Sequence, residues 1–214
     1  KLMQKDRLTR TGQWHERMDH MGMGLTGRTP GGVGPGRFGR ELLRMARVFD
    51  MRLLAADPYV NAVELATIGA RKVDLPTLLR DADFVVTIPL LNDETRHLMS
   101  APQFALMKRS AYFVNVSRGP VVDELALIEA LQAGRIAGAA LDVFEQEPVD
   151  PSNPLLAMDN VIVTPHSLCW TDECFHNMAT TGLASIVDAL AGRVPEFVVN
   201  RDVLDHPRVK AWRG

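Results

Sequence analysis

Three stretches in the second half of the chain place reactive side chains directly after apolar runs: Arg118 in NVSRGP, Asp142 and Glu147 in LDVFEQEP, and His166 in VTPHSLCW. Runs of Val, Ile, Ala and Phe read as strands, and an open parallel sheet binds ligands beyond the carboxyl ends of its strands. Arg118, Asp142 and His166 are therefore expected to face one crevice. A histidine beside a carboxylate can take or give a hydroxyl proton, and the planar fork of an arginine can hold a carboxylate and polarise a carbonyl. Together these are the protein groups that hydride transfer between a nicotinamide and a small 2-hydroxy or 2-keto acid needs.

A second constellation precedes them. GGVGPGRFGR contains G-x-G-x-x-G at Gly34, Gly36 and Gly39. The motif alone is weak, but here it opens an amphipathic helix, so that amides at the helix start can face a pyrophosphate. Gly36 would let phosphates come close, and Gly39 would let the helix pack on the sheet. Asp57 follows at the end of the next strand, where its carboxylate can accept from ribose hydroxyls and repel a 2′-phosphate, which favours NAD over NADP. The plainer reading is that Asp57 only begins an Asp-Pro turn before Tyr59. Pro30 and Gly32 conflict with a central strand, so the first strand is expected to be short or to start only at Gly31, and Pro35 removes one amide from the turn.

The elements that must position these residues alternate. Phe38, Leu42, Met45 and Phe49 form a helical stripe, followed by the strand RLLAAD. Then come helix LPTLLRDA, strand DFVVTIP, helix APQFALMK, strand AYFVNVS, helix DELALIEALQAG, and strands AGAALDVF and NVIVTPH. A long helix is expected from about Thr171 to Arg193, capped by Gly192. This alternation predicts a three-layer α/β/α fold around a doubly wound parallel sheet. Residues 1–27 read as a connecting segment, 28–195 as the dinucleotide-binding domain and 196–214 as a polar tail.

Composition narrows the class. The 214 residues are 46% hydrophobic and 23% charged, enough for a packed core, and 24 basic against 26 acidic residues give no bulk attraction for nucleic acid or anionic membrane. Two cysteines, no membrane-length apolar run and no secretion signal make a reducing, cytoplasmic setting the expectation. The chain begins with Lys1 rather than Met and reads as part of a longer protein. His166, Cys169, Cys174 and His176 invite a zinc reading, but their spacing is not a usual finger spacing and Cys174 and His176 do not share a helix face, so no metal is assigned.

The motifs GPGRFGRE at 34–41, ADP at 56–58, NVSRGPVVDE at 115–124, GAALDVFEQEP at 138–148 and TPH at 164–166 resemble the D-isomer-specific 2-hydroxyacid dehydrogenase family. The resemblance runs from about Arg10 to Asn200. It implies a Rossmann-like domain with Arg118 orienting substrate, His166 as acid/base and Glu147 as its paired carboxylate. It further implies that Asp142 contacts the nicotinamide carboxamide, that Arg37 and Phe38 meet the pyrophosphate, that Val116 and Ser117 line the nicotinamide pocket, and that Pro89 and Thr95 belong to the adenine-side loop. Family members carry a second, substrate-binding domain, most of which is not in this chain. Residues 1–27 resemble the return from that domain and a dimer-contact helix, and the tail resembles the piece that crosses back, so a homodimer is expected. Within the family, Glu147 is expected to set the chain apart from the formate branch, which has an amide there, and a chain ending without a regulatory domain is expected to differ from many phosphoglycerate enzymes. Glyoxylate or hydroxypyruvate reduction is the reading within the enzymes. The alternative is an NAD-responsive corepressor-type binding protein of the same fold.

Overall fold

The computed structural model describes residues 1–213 and divides into two compact units, one ending at His166 and the other beginning at Ser167. The first holds a seven-stranded, all-parallel sheet. Its elements in chain order are α1 (Leu2–Arg10), β1 (Pro30–Val33), α2 (Arg37–Ala46), β2 (Leu53–Ala56), α3 (Ala62–Thr67), β3 (Ala70–Lys72), α4 (Leu75–Asp81), β4 (Phe84–Thr87), α5 (Ala101–Leu106), β5 (Tyr112–Asn115), α6 (Glu124–Gln132), β6 (Gly138–Leu141) and β7 (Val161–Val163). The strand order is β3-β2-β1-β4-β5-β6-β7. The direction of strand addition reverses at β1, which is where a doubly wound sheet opens its crevice.

Strand periodicity sorts the core. Leu53 and Ala55 of β2 pack with Leu43, Leu65 and Ala70 on one face, while Leu54 and Ala56 join Leu78, Leu79, Val85, Phe104, Phe113 and Leu127 on the other. The second cluster is the larger and carries α4, α5 and α6. Helix starts are chemically marked: Asp74 caps α4 and Asp123 caps α6 by accepting from Thr77 and Ala126 N–H, and Ser100 with Gln103 forms a capping box on α5.

The first strand resolves its apparent conflict. It begins at Pro30 rather than Gly31 and pairs with both β2 and β4. Thr29 supplies what the proline cannot: its N–H donates to the Asp83 carboxylate at 2.9 Å, and its carbonyl accepts from Asp83 and Phe84 N–H. Asp83 is in turn held by Lys108 at 2.9 Å. The glycines are places of close approach. A Cβ on Gly31 would lie 2.6 Å from Leu78 Cδ2, and one on Gly32 would lie 3.3 Å from Pro35 Cβ. A side chain at Gly31 would force Leu78 to shift, and one at Gly32 would need Pro35 to give by a few tenths of an ångström.

Two elements lack the apolar runs by which the others were read. α3 is only six residues long, and β3 is the short edge strand Ala70-Arg71-Lys72 with one buried side chain. Strands β5 and β6 are shorter than AYFVNVS and AGAALDVF suggest, because the backbone turns after Asn115 and Leu141 to build the site. The second unit contains α7 (Asp172–Leu190), capped by Thr171 and followed by Gly192 at φ +71°. No described helix is long and apolar enough to cross a membrane.

Candidate functional site

The loops after β5, β6 and β7 carry the proposed chemistry. Asn115 organises the first. Its buried side chain accepts from Ser117 N–H and Oγ at 3.1 and 2.9 Å and from Thr87 Oγ1 at 3.1 Å, and donates to the Arg118 carbonyl at 3.1 Å. The chain therefore folds back at Val116–Arg118 instead of continuing the strand. Ser117 lies buried inside this turn, and Val116 and Arg118 are exposed on it. Arg118 Nη1 donates to the Ser117 carbonyl at 2.7 Å.

The His–Glu pair expected from sequence is formed: His166 Nδ1 lies 2.7 Å from Glu147 Oε2. Glu147 Oε1 accepts from Phe144 N–H at 3.0 Å, which aims the carboxylate. Burial pushes the Glu147 carboxyl up, but the hydrogen bonds from His166 and Phe144 and the charges of His166 and Arg118 outweigh it and hold the group below its ordinary value. A carboxylate accepts only, so Nδ1 carries the ring proton and Nε2 is the nitrogen left for a substrate. His166 sits at φ +52°, a left-handed conformation that costs a non-glycine residue about 1 kcal/mol or more. Two contacts hold it there, the bond to Glu147 and donation from His166 N–H to the Asp142 carbonyl at 2.8 Å. Asp142 is buried, and its carboxylate accepts from Thr164 Oγ1 at 2.6 Å.

Gly119 locks two of these loops together. A Cβ there would meet the Phe144 carbonyl oxygen at 1.6 Å and the Glu145 nitrogen at 2.5 Å. The backbone beside Arg118 thus presses directly on the backbone that leads to Glu147. Sequence reasoning also missed His97, at φ +51°, whose Nε2 lies 2.5 Å from Glu145 Oε1; its signal, a histidine and a carboxylate far apart in sequence, had no local pattern. Asn115 was legible in principle, as an Asn followed two residues later by Ser at a strand end.

Across the switch point, Val33, Gly34, Gly36, Arg37, Phe38, Asp57, Tyr59, Glu64, Pro89, Glu94 and Thr95 line a cleft of about 1090 Å³. Gly34 adopts φ +66°, and a Cβ on it would lie 2.5 Å from Pro89 Cβ. Gly36 caps α2 with open space above it, and no side chain caps that helix. Its first amides are therefore free to meet an anion, which fits a pyrophosphate. Gly39 is covered by Pro35, 2.8 Å from where its Cβ would be, and packs the helix instead of lining the cleft. Asp57 does begin a turn, its Oδ1 accepting from Tyr59 N–H at 2.7 Å and Val60 N–H at 3.0 Å, and its second oxygen remains for a ligand. Thr95 is occupied within its own loop, donating to the Leu90 carbonyl at 2.6 Å. Val116, Ser117, Asp142 and the three catalytic candidates do not line this cleft.

A parallel sheet with this strand order and a glycine turn at its switch point define a Rossmann-like dinucleotide-binding class of domain. Residues 1–167 match the model of the D-isomer specific 2-hydroxyacid dehydrogenase, NAD binding domain, and the chain belongs to that family. NAD is the cofactor of this domain family. The chain is 44% identical over 197 residues to glyoxylate/hydroxypyruvate reductase B of Enterobacter sp. (strain 638), covering 91% of this chain and 61% of the relative. It is 45% identical over 201 residues to the protein of the same name from Escherichia coli (strain SMS-3-5 / SECEC), covering 92% and 61%. Among solved structures, D-lactate dehydrogenase with NAD+ from Lactobacillus jensenii superimposes with a TM-score of 0.82 at 31% identity, covering 92% of this chain and 62% of that one. The chain thus spans about 61% of the length of the curated relatives it matches.

Proposed function

We propose that this chain is the cofactor-binding part of an NAD-dependent 2-hydroxyacid dehydrogenase that interconverts a small 2-keto acid and the D-2-hydroxy acid, with glyoxylate or hydroxypyruvate as the keto acid. The observation that carries the reading is the His166–Glu147 pair, which joins the loops after β7 and β6 beside the loop after β5 that bears Arg118. The names of the most similar relatives support the substrate class.

Bound NADH supplies the hydride. The amides opening α2, with Arg37 and Phe38, hold the pyrophosphate, Asp57 the adenosine ribose, Pro89 and Thr95 the adenine side, and Val116, Ser117 and Asp142 the nicotinamide side. Arg118 grips the substrate carboxylate and polarises its carbonyl, and His166 gives a proton from Nε2 to the oxygen that becomes the hydroxyl. Glu147 keeps the imidazole oriented and stabilises its charged form before that transfer. Proton, hydride and keto acid together make the hydroxy acid.

In this reading residues 1–27 serve a homodimer contact, residues 196–214 return to a substrate domain, and the protein works in the cytoplasm. Placing substrate against cofactor is worth roughly 7–11 kcal/mol of a barrier when domains close correctly. This chain alone is therefore expected to bind NADH and to turn over keto acid hardly at all. Titration with NADH, followed by fluorescence, together with a glyoxylate reduction assay tests both statements. No NADH binding would overturn the cofactor reading, and ready turnover by the isolated chain would overturn the need for a second domain.

A further inference from the structure

The two nicotinamide dinucleotides differ only at the adenosine 2′ position, a hydroxyl in one and a phosphate of charge about −1.5 to −2 in the other. Asp57 is one source of discrimination, and the residues around it supply another. The lining of the cleft includes, with Asp57, the residues Tyr59, Val60, Glu64, Asn92 and Glu94. Accepting a 2′-phosphate requires free donors, preferably an arginine fork.

The donors here are already taken. Tyr59 Oη donates to Glu94 Oε2 at 2.5 Å, and this bond, with the nearby charges, raises the tyrosine above its ordinary value. Lys72 Nζ donates to the Val60 carbonyl at 2.7 Å. Arg37 opens α2 beside the uncapped amides where a pyrophosphate fits. The next cation, Arg40, lies one turn further along the same helix face, three residues on. Its Nη1 is bonded to Glu64 Oε2, which joins α2 to the first turn of α3.

We propose that Glu64 is a specificity-determining residue of the cofactor cleft, excluding the 2′-phosphorylated dinucleotide by occupying the Arg40 guanidinium that would otherwise bind that phosphate. The inference rests on the cleft being the NAD site, and it deepens that reading. Glu64 acts twice, by lining the wall with a carboxylate and by occupying Arg40, while Arg37, which lines the cleft itself, is left to the pyrophosphate. Asp57 does only the first.

Titrations of the chain with NADH and NADPH test this in wild type, Glu64→Gln, Arg40→Met and the double variant. Glu64→Gln is expected to tighten NADPH relative to NADH on the order of ten-fold, from one repulsive charge lost and one guanidinium released. The gain should vanish in the double variant, and Arg40→Met alone should keep the wild-type preference. Added salt should erode the gain, because the new contact is ionic and exposed. An unchanged preference in Glu64→Gln, with wild type binding NADH, overturns the proposal. A gain that persists in the double variant overturns the role given to Arg40. Wild type that binds neither dinucleotide removes the cofactor reading itself, a result distinct from both. Glu64 is exposed and Arg40 half-buried, so these variants are expected to fold; matching circular dichroism spectra check it.

Discussion

Gly119→Ala is the most demanding test of how the reactive loops are held. The methyl would be placed 1.6 Å from the Phe144 carbonyl oxygen, 2.0 Å from its carbon and 2.5 Å from the Glu145 nitrogen. All three are backbone atoms, so no side-chain rotation relieves the contact. Real Cβ atoms essentially never approach closer than 3.0 Å, so the two loops must part by roughly 1.4 Å. One loop carries Arg118 as the preceding residue, and the other orients Glu147 through the Phe144 N–H. Overpacking of this kind costs about 1–3 kcal/mol of stability, or a fall in melting temperature of about 2–12 °C for a chain of this size. A misplacement of about 1 Å costs on the order of 100-fold in rate. The assay is a thermal melt of the chain with an NADH titration, and turnover in the protein completed by its substrate domain. Melting and turnover both equal to wild type would refute the reasoning, since the carbonyl would then have moved without cost.

Gly36→Ala is the converse case: nothing lies within 4 Å of its Cβ position, so the melting temperature should hold while NADH binding weakens on the order of ten-fold or more, as the methyl enters space meant for phosphates. Calorimetry and a melt read both, and undiminished binding would show that the phosphates do not approach there. His166→Ala in the completed protein should lower turnover on the order of 100- to 10,000-fold with NADH affinity kept, and an unchanged rate would remove His166 from the mechanism. Glu147, lowered from an ordinary value of 4.5, stabilises the fold fully above that value and loses its contribution only as pH falls through the lower folded value. A carboxyl-carbon NMR titration should put its midpoint below 4.5, and a midpoint above would contradict the pair's geometry. Asp83→Ala removes the buried partner of Lys108 and Thr29 N–H and should cost about 3 kcal/mol in denaturant unfolding, whereas a cost within error would mean that the start of β1 is held by other means.

The alternation of apolar runs made the strand and helix order legible, and the polar residues just beyond those runs pointed to the proposed reactive set. Arg118, Glu147 and His166 stood where an apolar strand stops, a local signal. What escaped were properties settled by distant neighbours. Gly31 and Gly32 read as strand weaknesses because a sequence does not display Leu78, Leu43 or Pro35 pressing on them. Pro30 read as an obstacle because the compensating bonds come from Thr29 and Asp83, 54 positions apart. β3 has too few apolar residues to announce itself, and it is recruited to the edge by pairing with β2. The His97–Glu145 contact spans 48 positions and follows no repeat.

The strand order also divides labour along the sheet. The glycine turn, Asp57 and Glu64 belong to β1, β2 and the helices that follow them, whereas Arg118, Glu147 and His166 hang from β5, β6 and β7, with β4 as the seam. The bonds that tie each set together stay on its own side, His166 to Glu147 on one and Arg40 to Glu64 on the other. Such a chain is modular in the space of mutations: the choice of dinucleotide can drift on one wing while the proton-handling wing stays fixed. The two kinds of change should therefore combine additively, each leaving the other's phenotype intact.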